Sequence, residues 1–93
     1  MNVFLDDIRP LPDNYIGEWM IVRRVDEVQK LLREGKVEAL SLDHDLGLDQ
    51  PTGYNLVCWM ERENIWPSGM ISVHSANPVG AANMRRALKA NGK

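Results

Sequence analysis

The sequence predicts an α/β fold, a parallel β-sheet with helices packed on its faces. Three observations predict it. Short apolar runs of strand character alternate with longer segments of helical period, the pattern of strand–helix–strand units. Three of the strands stop abruptly at polar residues, FL-DDIR, SL-DHD and SV-HSANP, and in open α/β sheets the carboxyl ends of the strands form the ligand rim. A chain of 93 residues holds one modest core. Residues 1–93 therefore read as one domain, with no repeat or linker.

The first strand is Asn2 to Leu5 (NVFL), stopped by Asp6-Asp7. The segment IRPLPDNYIGEW carries prolines, a glycine and an Asp-Asn pair, so it reads as loop with at most one short helical turn. A second strand follows at Trp19 to Arg23. Val25 to Glu34 is the first clear helix. Val25, Val28, Leu31 and Leu32 form its apolar stripe, acids sit in its first turn, and Gly35 suits its stop. Val37 to Leu42 is the third strand. Thr52 caps a helix running to about Glu63, with Leu56, Val57 and Met60 inward. Met70 to Val73 is the fourth strand. Asn77 caps the last helix, with Pro78 at its first position, Ala81, Met84, Ala87 and Leu88 facing the core, and Gly92 at its end.

Composition narrows the function classes. Apolar residues make up 44% and charged residues 26%, with a net charge of −2, so no global field draws a nucleic acid or an anionic membrane. No extended nucleic-acid surface is expected, and a small anion needs local donors. No run reaches the length of a membrane span, and MNVFLDD lacks a signal-peptide pattern. Cys58 is the single cysteine and reads as a buried thiol in the helical LVCWM. A cytoplasmic location is the expectation. Trp19, Trp59 and Trp66 share no face and read as packing. Arg85, Arg86 and Lys89 suit the last helix's carboxyl end.

Parallel strands bring Asp6, Asp7, Asp43, His44, Asp45, His74, Ser75 and Asn77 to one rim. Carboxylates as close as Asp6, Asp7 and Asp43 repel and raise each other's pKa. A divalent cation relieves this, and hard oxygen ligands suit Mg²⁺ (or Mn²⁺). The plainer reading is that Asp6 and Asp7 cap turns. His44 and His74 are the only histidines, and imidazole exchanges protons near neutral pH. They could act as base and acid on opposite sides of a phosphorus, or bind a transition metal.

HSANPVG joins a strand end to a helix start, a place where free amides and the helix dipole hold anions. Ser75 and Asn77 add donors there, and Gly80 admits close approach. Plain N-capping by Asn77 is the equal alternative. Arg9 either clamps a phosphate oxygen or pairs with Asp7. Thr52, Gly53 and Tyr54 could border the pocket, with Tyr54 stacking on a base, but a helix cap and packing explain them better. Strand alternation sends Asp43 and Asp45 to one side of the sheet and His44 to the other, where it could meet His74.

Paired acids after the first strand, an acid after the third and the hydroxyl of Ser75 after the fourth resemble response-regulator receiver domains. More closely, FLDDIR at Phe4–Arg9, LDHDLG at Leu42–Gly47, TGYNL at Thr52–Leu56 and HSANPVG at His74–Gly80 resemble the cyclic-phosphate processing receiver-like family, over nearly the whole chain. The resemblance implies a receiver-like (flavodoxin-like) three-layer sandwich. Its sheet would have four parallel strands in the order 2-1-3-4 and lack the fifth strand and helix, and with them the receiver's lysine. It also implies a role with cyclic phosphates of nucleotide or RNA-end type.

The leading expectation is a phosphoesterase that opens a cyclic phosphate. Asp6, Asp7 and Asp43 hold Mg²⁺, and Asp45 orients His44 or joins the metal. His44 and His74, with Asp43, form the catalytic group, while Arg9, Ser75, Asn77 and Gly80 take the phosphate. The rivals are a signalling receiver phosphorylated on Asp43, against which the missing lysine counts, and a non-catalytic cyclic-nucleotide-binding module. The fourth strand is left as an edge, and edges invite pairing, so a homodimer is an open expectation.

Overall fold

The computed structural model describes residues 1–93. Its elements are β1 (Asn2–Leu5), β2 (Trp19–Val22), α1 (Val25–Arg33), β3 (Leu40–Leu42), α2 (Gly53–Glu63), β4 (Ile71–Val73) and α3 (Pro78–Ala90). The four strands form one parallel sheet in the order β2-β1-β3-β4, as expected. The register sets Val3 against Leu40 and Leu5 against Leu42, and Leu42 in turn against Val73.

Alternation then divides the sheet. Val3, Leu5, Val22, Leu40 and Leu42 face one way and join Val25, Val28 and Leu32 of α1, Leu56, Val57 and Met60 of α2, and Met84 and Leu88 of α3 in a single core. The crossovers from β2 to β3 and from β3 to β4 step in the same direction across the sheet. Right-handed connections therefore place α1 and α2 on the same face, and α3 packs beside α2 there. The crossover from β1 to β2 carries no helix, as the loop reading of IRPLPDNYIGEW expects. The opposite face carries Phe4 and Ser41, and the segment between β1 and β2 covers it. Tyr15 meets Phe4 edge-on at 5.2 Å, and Trp19 meets Tyr15 at 4.9 Å. The third layer is thus an aromatic-anchored loop, because 13 residues rich in turn formers separate β1 from β2.

Several boundaries move for local reasons. β3 begins at Leu40 rather than Val37. The chain bends at Glu38, whose N–H donates to the Met1 carbonyl and whose carbonyl accepts from Gly69. Val37 is nonetheless buried. β2 ends at Val22, one residue early, since Arg23 turns back to bond the carbonyls of Asp6 and Arg9. Gly35, at φ +69°, ends α1 as its amide returns to Leu32 and that of Lys36 to Leu31. Leu31 and Ala87 lie only partly buried against the core, and Cys58 is half-buried. Trp59 is buried with the Arg33 guanidinium 5.2 Å over its ring.

Thr52 caps α2 in a reciprocal capping box with Asn55. Gly53, the first residue of α2, donates to the His44 carbonyl at 2.9 Å. A Cβ at Gly53 would strike the Asp43 carbonyl and come within 2.9 Å of Met84 Sδ. The glycine thus lets α2 begin directly against the end of β3, where the acids lie. Tyr54 points away, partly exposed. No helix is long and apolar enough to cross a membrane.

Gly53→Ala forces a helix start away from a backbone carbonyl that cannot yield. We expect it to cost about 1–3 kcal/mol, the usual range for overpacking, read as a lowered urea midpoint at unchanged m-value.

Candidate functional site

The site is built by strand parity at the carboxyl ends of β1, β3 and β4. Asp6 follows Leu5 and turns to the Phe4 side. Asp43 follows Leu42 and turns the same way, as does His74 after Val73. Asp6 is 1% and Asp43 8% exposed. The carboxylates of Asp6, Asp7 and Asp43 place ligand atoms all within 4.8 Å of one another. Together with Ile8, Arg9, Asp45 and Ala76 they line a cleft of about 220 Å³.

Asp6 is the most heavily bonded of the three. Its Oδ1 accepts from the amides of Ile8 at 3.0 Å and Arg9 at 2.8 Å, so the chain turns back over it. Its Oδ2 accepts from His74 Nε2 at 3.1 Å, and the Arg9 Nε lies 3.8 Å away. Burial works against the charge of Asp6, but the Arg9 and Ile8 amides and then His74 outweigh it and hold the carboxyl below its usual range. Arg9 faces Asp6, not Asp7 as one sequence reading had it.

His74 is fixed at both ring nitrogens. Its Nδ1 lies 2.7 Å from Ser41 Oγ, which lies 2.7 Å from the Tyr15 hydroxyl. Its ring stacks on Phe4 at 4.2 Å. With Nε2–H donating to Asp6, Nδ1 accepts from Ser41, and Ser41 accepts from Tyr15. One relay thus runs from the covering loop, through β3 and β4, to Asp6. Burial pushes the His74 pKa down, against the pull of Asp6 and Asp43, which favours this neutral form.

Asp43 has the opposite balance. Burial and then the neighbouring Asp6 charge push its pKa up, although the His44 amide, 2.8 Å from Oδ1, and the Ser75 hydroxyl pull down. Two adjacent carboxyls are thus driven apart, one kept charged and the other resisting charge.

His44 lies on the helix side, as alternation predicts, but does not meet His74 there. Its ring rests against Gly80 so closely that a Cβ at Gly80 would strike it. Its Nδ1 is 2.8 Å from Asp45 Oδ1. Nε2 has no protein partner and is not sealed from solvent. Gly80 thus makes room for an imidazole rather than for a ligand. The His44 contact leads in holding the Asp45 carboxyl below its usual range, with help from Asn77.

Asn77 is a cap first. Its Oδ1 accepts from the Gly80 amide at 3.0 Å, while its Nδ2 reaches Asp45 at 3.3 Å. Pro78 has no N–H and the Ala81 amide returns to the Asn77 carbonyl, so the α3 start keeps few amides for an anion. The Asn77 amide itself donates to Ser75 Oγ at 3.1 Å.

Asp6, Asp7, Asp43, Asp45 and Arg9 therefore share the cleft, and Ser75 borders Asp43. His74 stands behind Asp6, while His44, Asn77 and Gly80 stand behind Asp45. Sequence reading missed Tyr15, Ser41 and Arg23 as parts of the site. Ser41 carried a signal, as a hydroxyl inside an apolar strand one alternation step before Asp43.

The opposed carboxyls give opposed predictions for stability. Asp43 binds its proton more tightly when folded, so its penalty is absent below the unfolded carboxyl pKa of roughly 3.9 and grows as pH rises through the folded value. Asp6 stabilises above the unfolded value and loses that contribution as pH falls through its depressed one. In chelator at pH 7, Asp43→Asn should raise Tm and Asp6→Asn should lower it. The Asp43→Asn gain should vanish by about pH 3. Thermal scans across pH check both signs.

Comparison with known proteins adds a family. No curated protein and no solved structure matches the chain significantly. The family model described as the cyclic-phosphate processing receiver domain matches residues 1–90, all four motifs and the whole sheet included. The chain belongs to the cyclic-phosphate processing receiver domain family.

Proposed function

We propose that the cleft holds a divalent cation, Mg²⁺ or Mn²⁺, and opens a cyclic phosphate of a nucleotide or RNA end by hydrolysis. The observation that carries this reading is the convergence of Asp6, Asp7 and Asp43, ligand atoms within 4.8 Å of one another, in a family named for cyclic-phosphate processing. The donor set fits the ion. All three donors are hard oxygens. Asp6 Oδ2 retains a lone pair beside its His74 bond, and a cation would offset both the burial and the Asp6 charge that raise Asp43. Bound there, the ion would polarise a phosphoryl oxygen and offset charge on the departing ester oxygen.

The chain's own residues supply the rest. His44 Nε2 takes a proton from water, and Asp45 on Nδ1 steadies the resulting imidazolium. The water oxygen bonds to phosphorus, one ring P–O bond breaks, and the released alkoxide takes a proton from solvent. The product is a phosphomonoester beside a free hydroxyl. Arg9 offers positive charge at the cleft wall, and Ser75, whose hydroxyl accepts from the Asn77 amide and turns its hydrogen to Asp43, steadies that carboxylate. His74 holds Asp6 in place instead of serving as the acid, because both its nitrogens are engaged. Asn77 and Gly80 position Asp45 and His44 rather than grip phosphate.

The test is a panel of 2′,3′-cyclic, 3′,5′-cyclic and ADP-ribose cyclic phosphates with Mg²⁺, Mn²⁺ or chelator. Ring opening of at least one, abolished by chelator and by Asp43→Asn, is the expected result. A panel left untouched in every metal would sink the reading, and tight binding with intact ligand recovered would make the domain a binding module.

The histidines separate in the same assay. His44→Gln should lower kcat by about 10²–10⁴, the span of general-base contributions, with Mn²⁺ affinity unchanged. Ser41→Ala and His74→Gln should instead weaken Mn²⁺ binding by about 10–100-fold, as loss of residues that orient metal ligands does. Calorimetric titration of Mn²⁺ distinguishes the two.

A further inference from the structure

A second feature lies away from the cleft, on the outer side of β4. β4 pairs only with β3. The Met70 carbonyl accepts from Leu40, and the His74 amide donates to the Leu42 carbonyl. Parallel ladders turn alternate residues to alternate neighbours, so Ile71 and Val73 direct their amides and carbonyls outward. Only the Val73 carbonyl is occupied, by Arg85 Nη2 at 3.3 Å. The Ile71 amide and carbonyl and the Val73 amide remain for a further strand.

A groove of about 510 Å³ runs along this edge between β4 and α3. Ile71, Val73 and Leu88 supply its apolar surface, and Arg85, Lys89 and Lys93 its charge. The Lys93 ammonium is held 4.8 Å over the Trp66 ring. No acidic side chain lines the groove, although the chain as a whole carries −2.

We propose that this edge accepts an extended acidic segment of a partner protein as a fifth strand. Backbone donors and acceptors would fix the strand and its carboxylates would meet the three cations. Proteins that guard an edge place lysine on the edge strand itself. Here β4 reads Ile-Ser-Val and the cations stand on the flanking wall, where they select a strand rather than block one. A second copy of this chain fits poorly, because two-fold pairing of β4 edges brings like charges together. A single-stranded nucleic acid would lack both the ladder partners for Ile71 and Val73 and an aromatic platform in the groove.

The probes are fluorescent ten-residue peptides alternating Glu with Val or Thr, their Lys counterparts, and an oligouridylate of ten nucleotides. The acidic peptides should bind, slow hydrogen exchange at the Ile71 and Val73 amides, and lose at least tenfold in affinity with the double variant Lys89→Glu/Lys93→Glu, whose melting temperature checks that it folds. Failure of the acidic peptides to bind, binding without protection of those two amides, or equal binding of the Lys peptides overturns the proposal. So does preferential binding of the oligouridylate. Protection of the same amides in the protein alone, with a dimer by sedimentation, overturns it in favour of self-pairing.

Discussion

The hydrogen bond from His74 Nε2 to Asp6 Oδ2 is the interaction on which the site depends. It ties the end of β4 to the end of β1 across β3, and so fixes the width of the rim. Asp6 is almost fully buried, and stripping water from a carboxylate costs several kcal/mol. Hydrogen bonds to a charged group return roughly 1.5–3 kcal/mol each. Burial opposes the charge of Asp6, and two amides and an imidazole together outweigh it. The loop that supplies those amides is in turn clasped by Arg23 through the carbonyls of Asp6 and Arg9. Stability of the loop and charge of the site are one problem with one solution.

That solution explains the uneven dressing of the sheet. With three helices on one face, the other face needs a cover that is apolar over Phe4 yet polar over Ser41. Tyr15 meets both needs, since its ring sits edge-on to Phe4 and its hydroxyl bonds Ser41. A helix in this place would present a row of side chains at fixed spacing. The loop brings one aromatic with a polar tip to the buried hydroxyl of Ser41. The relay from Tyr15 to Asp6 is possible because the helix is missing.

Much of this was legible in the sequence and some was not. The sheet, its three helices and the rim could be read because apolar periodicity and abrupt polar stops are local signals that tertiary packing reinforces. Thr52 and Asn77 were legible as caps for the same reason. The side of the sheet taken by Asp43 and His44 followed from alternation alone. What escaped was any role set by a distant partner. Ser41 looked like strand filler, Tyr15 like loop and Arg23 like strand end, because each acts across 14 or more positions of sequence. Gly80 was misread for a related reason. A glycine signals that something comes close to the backbone, but not whether the visitor is a ligand or, as here, His44.

Parity also separates the two histidines by role. His74 shares a face with Asp6 and is held by hydrogen bonds at both ring nitrogens, so a proton moving through it would have to break the seat of a buried carboxylate. His44 is on the other face, tied to the rim by Asp45 and wedged under α3 by Gly80, and its second nitrogen has no protein partner. A residue that must gain and lose a proton in each turnover needs an open nitrogen and a partner that tolerates its charge. One that holds a metal ligand needs neither. On the proposed reading, a single alternation of the backbone in the LDHDLG stretch would therefore send Asp43 toward the acidic cluster with Asp6 and Asp7 and His44, with Asp45 beside it, toward the proton.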